Sequence, residues 1–150
     1  MAYEYKEHDD ITSKQPVPTT NEPALFPLKA SLETNSLQMA ANDCYGVVKK
    51  PAGFKVVDGY AYADDIDSNG TPAAVLTVAA MNADKTDIVA GKKLVAATTV
   101  GQGGGVVRMN DIGLMEDDGS TELIIGIKVD TAPATKANGT IGVVLLCVPV

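Results

Sequence analysis

The sequence has no tryptophan, one histidine, two cysteines and only 5% aromatic residues, and each shortage closes a class of function. The one histidine, His8, lies in a polar N-terminal stretch. A Ser-His-Asp or Cys-His relay would need that stretch to fold back onto a core nucleophile, and no G-x-S-x-G elbow supplies one. Cys44 and Cys147 stand far apart and outside any C-x-x-C pair, which leaves zinc and thioredoxin-type readings without support. They are expected as free, buried thiols, with a disulfide between the first and last core strands as the alternative that redox compartment would decide. Without tryptophan a sugar cleft lacks its usual stacking surface, so Asp111, Glu116, Asp117 and Asp118 read as loop acids rather than as a glycosidase pair.

Positive charge is also short. Twelve Lys and Arg face 19 Asp and Glu, a net charge of -7, which repels phosphate backbones and anionic lipid. Nucleic acid and membrane are set aside as partners. The start, Met1-Ala2-Tyr3-Glu4-Tyr5-Lys6-Glu7-His8, has no apolar signal core, and no later run approaches the ~20 residues that span a bilayer, so a soluble intracellular product is expected.

What remains is ample for one domain. A chain of 150 residues can bury roughly 70% of its unfolded surface and needs neither metal nor disulfide to fold. Its hydrophobic fraction of 45% comes from Val, Ile, Leu and Ala, which suits narrow, tightly interdigitated sheets. Residues 1–23 differ from the rest: acids, two lysines and the run Gln15-Pro16-Val17-Pro18-Thr19-Thr20 offer too little apolar surface to offset backbone ordering. They read as an extended arm, and residues 24–150 as the folded domain.

From Ala24 onward short apolar runs alternate with turn chemistry, the pattern of an all-β sandwich or barrel. Leu123, Ile125, Ile127 and Val129 alternate with Ile124, Gly126 and Lys128 and predict a strand with one apolar face. The run Ile141 to Val148 predicts a strand buried on both faces. Between Val56 and Asp64, alternation places Asp58, Tyr60, Tyr62 and Asp64 on one face and Val57, Gly59, Ala61 and Ala63 on the other. Ala73 to Met81 is the next strand, and the Asn69-Gly70 dipeptide predicts a hairpin joining the two. Further strands are expected at Leu25 to Ser31, Ser36 to Ala41, Tyr45 to Lys49 and Val106 to Met109, whereas Ala90 to Thr99 suits a helical turn as readily as a strand. About eight strands result, the number that makes a jelly roll or a two-sheet sandwich.

Two motifs invite a ligand reading. Asp65-Ile66-Asp67-Ser68-Asn69-Gly70 matches the opening of a calcium loop, but the bidentate acid expected at the twelfth position is Leu76. An acidic turn is the expectation and no cofactor is called for; the alternative is a calcium-stabilised loop with Asp64, Asp65, Asp67 and Asn69 as ligands. Gly101-Gln102-Gly103-Gly104-Gly105 lacks the Gly-Lys-Ser/Thr of a phosphate loop and reads as a bent connection between strands.

Several segments carry a resemblance: Val47-Val48-Lys49-Lys50-Pro51-Ala52-Gly53, Val57-Asp58-Gly59-Tyr60, Gly104-Gly105-Val106-Val107-Arg108-Met109-Asn110, Val129-Asp130-Thr131-Ala132-Pro133-Ala134 and Gly139-Thr140-Ile141-Gly142-Val143-Val144. With them the chain, from about Tyr45 to Val148, resembles the capsid decoration or cement proteins of tailed bacteriophages, which have a jelly-roll-like β-sandwich. That resemblance implies a structural, non-enzymatic virion protein, made in the host cytoplasm, that binds the outer capsid surface. It also implies the major capsid protein as partner and a homotrimer that cements neighbouring subunits. The arm then offers Tyr3, Tyr5, Pro16, Val17 and Pro18 as capsid contacts. A receptor- or glycan-binding module of a fibre or tail is the alternative, recognising through the loops Asp64 to Thr71 and Asp117 to Thr121 with Tyr60 and Tyr62 as wall residues.

Overall fold

The computed structural model describes residues 25–150, so the arm and its expected contacts Tyr3, Tyr5, Pro16, Val17 and Pro18 lie outside the described residues. Eight strands follow in order: β1 (Phe26–Glu33), β2 (Cys44–Lys50), β3 (Phe54–Ala63), β4 (Val75–Met81), β5 (Ile88–Thr98), β6 (Gly105–Arg108), β7 (Leu123–Thr131) and β8 (Thr140–Pro149). They form two four-stranded antiparallel sheets, one in the order β1-β8-β3-β6 and the other β2-β7-β4-β5. The nested pairs β1 with β8, β2 with β7, β3 with β6 and β4 with β5 are those of one long hairpin rolled over on itself, the jelly-roll sandwich.

Alternation decides which side chains meet between the sheets. Ile125, Ile127 and Val129 of β7 face Ile141, Val143, Leu145 and Cys147 of β8, all at most 1% exposed, with Val56 and Ala61 of β3 and Leu76 and Val78 of β4 completing the core. Burying each such aliphatic side chain contributes about 1.5–3 kcal/mol. The other face of β8 is less enclosed than its apolar run predicts: Gly142 and Val144 are covered, whereas Leu146 and Val148 are half-buried.

Three expectations fail for identifiable reasons. The Asn69-Gly70 turn makes no hairpin, because β3 pairs with β8 and β6 while β4 pairs with β7 and β5; the segment after Ala63 crosses from one sheet to the other. Ser36 to Ala41 is loop, with Met39 in the left-handed region at φ 54° and its side chain 1% exposed in the core. Val57 is 36% exposed and Val56 takes its place inside, since a bulge between Val56 and Asp58 flips the alternation upstream of it. The ambiguous stretch is strand β5, bulged against β4 and carrying Ala97 at φ 50°. Both cysteines are free, Cys147 buried in one sheet and Cys44 half-buried in the other.

Candidate interaction surface

The outer face of the first sheet sets Tyr60, Tyr62, Val144 and Leu146 beside the charged Lys29, Glu33, Asp58 and Arg108. Odd residues of β1, even residues of β8 and the Asp58, Tyr60, Tyr62 series of β3 point to it, as the registers Tyr60 to Val144, Tyr62 to Gly142 and Asp58 to Leu146 require. Tyr62 lies against Gly142, where a β-carbon would collide with its ring, and the Nζ of Lys29 sits 5.5 Å from the ring centroid, within cation–π reach. Tyr60, Val106, Asp58 and Arg108 line a shallow groove beside it, with Val106 67% exposed. The Arg108 guanidinium donates to the Asp58 carboxylate. The Gly59 amide and then Arg108 hold that carboxyl below the usual carboxylate range. Tyr60 and Tyr62 both stand on the outer face, Tyr60 at the groove and Tyr62 beside it.

The acidic loop after β3 is organised by carboxylates that accept backbone amides. Asp67 is 1% exposed. Its two carboxylate oxygens accept the backbone N–H groups of Ala73 (2.7 Å), Ala134 and Thr135 (2.9 Å each), Ala74 (3.1 Å) and Asn69 (3.3 Å). Burial would raise its pKa, but the amides of Thr135, Ala73, Ala134 and Ala74 outweigh it and hold the carboxyl far below the usual carboxylate range. Asp64 accepts the Thr140 amide, Asp65 the Asp67 amide and Asn69 the Thr71 amide. The four residues of the calcium alternative thus each accept backbone amides, and among the described residues no cluster of three or more His, Cys, Asp or Glu is placed to hold a metal. The loop ties the β3–β4 and β7–β8 connections together at one end of the sandwich.

At the opposite end, Lys50 was missed by motif reading although its parity with Val48 placed it on the core face. It is fully buried, and its Nζ donates to the carbonyls of Phe54 (2.7 Å), Thr121 (2.9 Å) and Pro51 (3.2 Å). All three of its donors are used. Nearby, buried Asp117 accepts from Lys92 at 2.7 Å and from the Gly119 amide at 3.0 Å, which makes it a loop-holding acid. Asp64 to Thr71 and Asp117 to Thr121 therefore belong to opposite ends of the sandwich. The glycine run closes a 3-10 turn, Val100–Gln102, with Gly104 and Gly105 at φ 80° and 131°, conformations that favour glycine.

No family model matches the chain, and no curated protein does either. Solved structures do. A chain of the capsid of Ralstonia phage GP4 is 29% identical, with 90% of each chain covered and a TM-score of 0.71. A chain of the capsid asymmetric unit of cyanophage Pam1 has the same fold at 19% identity, with 97% of this chain and 99% of that one covered and a TM-score of 0.68.

Proposed function

We propose that this chain is a structural component of a phage virion, which binds the outer surface of the capsid and holds neighbouring major capsid protein subunits together. The observation that carries this reading is the likeness to the Ralstonia phage GP4 capsid chain across 90% of the sequence. The architecture supports it. A jelly-roll sandwich stiffened at both ends by buried charge-assisted hydrogen bonds, with Tyr60, Tyr62 and exposed Val106 on an outer sheet face, suits a rigid adhesive part. Attachment of many copies to a lattice turns modest contacts into firm binding through effective concentration.

In this reading the polar arm, residues 1–23, engages the shell, with Tyr3 and Tyr5 as aromatic anchors and Pro16, Val17 and Pro18 pre-extending the segment. The test mixes the full chain with expanded capsids that lack it and measures co-sedimentation and image density on the shell. Density on the outer surface is expected; no binding, or density confined to the tail, rejects a cementing role. Deleting residues 1–23 is expected to abolish capsid binding while leaving the thermal transition intact. Undiminished binding by the deletion would transfer the anchor to the sheet face around Tyr60 and Tyr62.

A further inference from the structure

Among the described residues, strand β1 is an edge of the first sheet. Each sheet has two edges: β1 and β6 in one, β2 and β5 in the other. Open edges invite association, and proteins blunt them with short length, bulges or charge. Strand β6 is only four residues long. Strand β2 is irregular between Gly46 and Val48, and β5 meets β4 through register shifts at Leu76/Val78, Val78/Ala79 and Ala79/Met81. Strand β1 is neither short nor bulged, and the charges it carries, Lys29 and Glu33, are of opposite sign. Its eight residues pair with β8 in unbroken register from Phe26 to Glu33.

The direction of its free groups follows from one hydrogen bond. The Thr34 amide donates to the Gly139 carbonyl at 2.9 Å, in the same register as the rest of the β1–β8 pair, so even-numbered residues of β1 point their backbone groups at β8. In an antiparallel ladder the alternate residues point the other way. Lys29, Ser31 and Glu33 therefore aim N–H and C=O outward, and Pro27 aims only a carbonyl. Leu28, Ala30 and Leu32 are half-buried on the inner face, although their cross-strand partners Leu145, Val143 and Ile141 are at most 1% exposed.

We propose that β1 pairs antiparallel with β1 of a second copy of this chain about a two-fold axis at Ser31. That register sets Ser31 opposite Ser31, Lys29 opposite Glu33 and Glu33 opposite Lys29 on the outer face, and Ala30 opposite Leu32 on the inner one. It is the register that sets Lys29 and Glu33 opposite each other. Moving one step toward the N-terminus, so that the axis lies at Ala30, brings Pro27, which has no N–H, into the ladder against Glu33. A further step sets Lys29 against Lys29, and like charges directly opposite are destabilising. The chosen register leaves Pro27 outside the paired segment, covers the half-buried leucines and extends each first sheet into a continuous eight-stranded one. The pairing is isologous and closes at two copies. It goes beyond capsid binding and stands independently of it.

The test is sedimentation equilibrium of the full chain across concentration. A reversible dimer is expected. Ser31→Pro removes an outward N–H without touching the β1–β8 ladder, and is expected to weaken the dimer by at least about tenfold with an unchanged thermal transition. Lys29→Glu and Glu33→Lys alone each place like charges opposite one another twice per dimer and are expected to weaken it by about three- to tenfold. The double exchange restores pairing, which lost packing or a lost Lys29–Tyr62 contact would not do. A protein monomeric at its highest soluble concentration, or a dimer or trimer whose constant ignores these variants, overturns the proposal.

Discussion

The ring of Tyr62 lies against Gly142, its cross-strand partner on the outer face of the first sheet, so the glycine is a seat for the tyrosine. Gly142→Ala should force the ring off the sheet and cost about 1–3 kcal/mol of overpacking strain. The same exchange in a Tyr62→Ala background should be neutral or stabilising by about 0.5–1 kcal/mol, because alanine loses less backbone entropy than glycine. Urea unfolding of the two singles and the double measures the coupling. Additive effects would show that the ring does not depend on its seat.

Lys50 holds three carbonyls of two connections with one ammonium. Lys50→Met keeps the length and removes every donor, leaving buried acceptors unsatisfied, and is expected to cost about 2–4 kcal/mol. Chemical denaturation checks this. A loss under about 1 kcal/mol would mean that water replaces the ammonium.

Asp67 sets an acid limit to stability. Its folded-state pKa is depressed, so its contribution is complete above the unfolded value of about 3.9 and is lost as pH falls through the lower folded one. The Asp67→Asn variant should melt well below the parent at neutral pH, because a single amide oxygen cannot accept five N–H groups. The two melting curves should converge as pH falls below about 4. Parallel curves would assign the acid sensitivity to other carboxylates, such as Asp87 or Asp58.

The same geometry predicts indifference to calcium. Saturating calcium or a chelator should leave the melting temperature of the full chain unchanged, since the Asp67 oxygens already accept backbone amides. A rise with calcium would restore the ligand reading of Asp64, Asp65, Asp67 and Asn69.

Lys85 sits at φ 59° in the exposed β4–β5 turn, a conformation that costs most side chains about 1–2 kcal/mol. Lys85→Gly should raise stability by up to about 1 kcal/mol, the gain being trimmed by the freer unfolded chain. Thermal unfolding would reveal a neutral or harmful exchange if the lysine makes contacts that outweigh the strain.

Much of the fold was legible because period-two alternation is a local property. The strands at Leu123 to Val129, Ile141 to Val148 and Tyr45 to Lys49 emerged near their observed bounds, and parity put Tyr60 and Tyr62 on one shared face, which the pairing with β8 makes the outer one. Reading failed where a single backbone angle or a long-range partner decides. The bulge at Val57 moves one residue and reverses the alternation before it, and Met39 turns inward at a positive φ that no composition rule marks. The Asp67 loop matched a calcium opening because aspartates suit both tasks, and the Ala134 and Thr135 amides that its carboxylate accepts arrive from the β7–β8 connection, far along the chain.

By itself the sequence determined an all-β sandwich of aliphatic strands with an acidic surface, and gave little support to catalysis, because alternation, charge and the shortage of histidine and tryptophan are properties of residues. The tertiary structure decided which strands are neighbours, hence the jelly-roll order, the Tyr62 seat on Gly142, the Lys50 and Asp67 anchors and the place of β1 at the edge of the described sheet. Each of these depends on hydrogen-bond partners far apart in the chain, and residue order carries no local signal of which partner will be met.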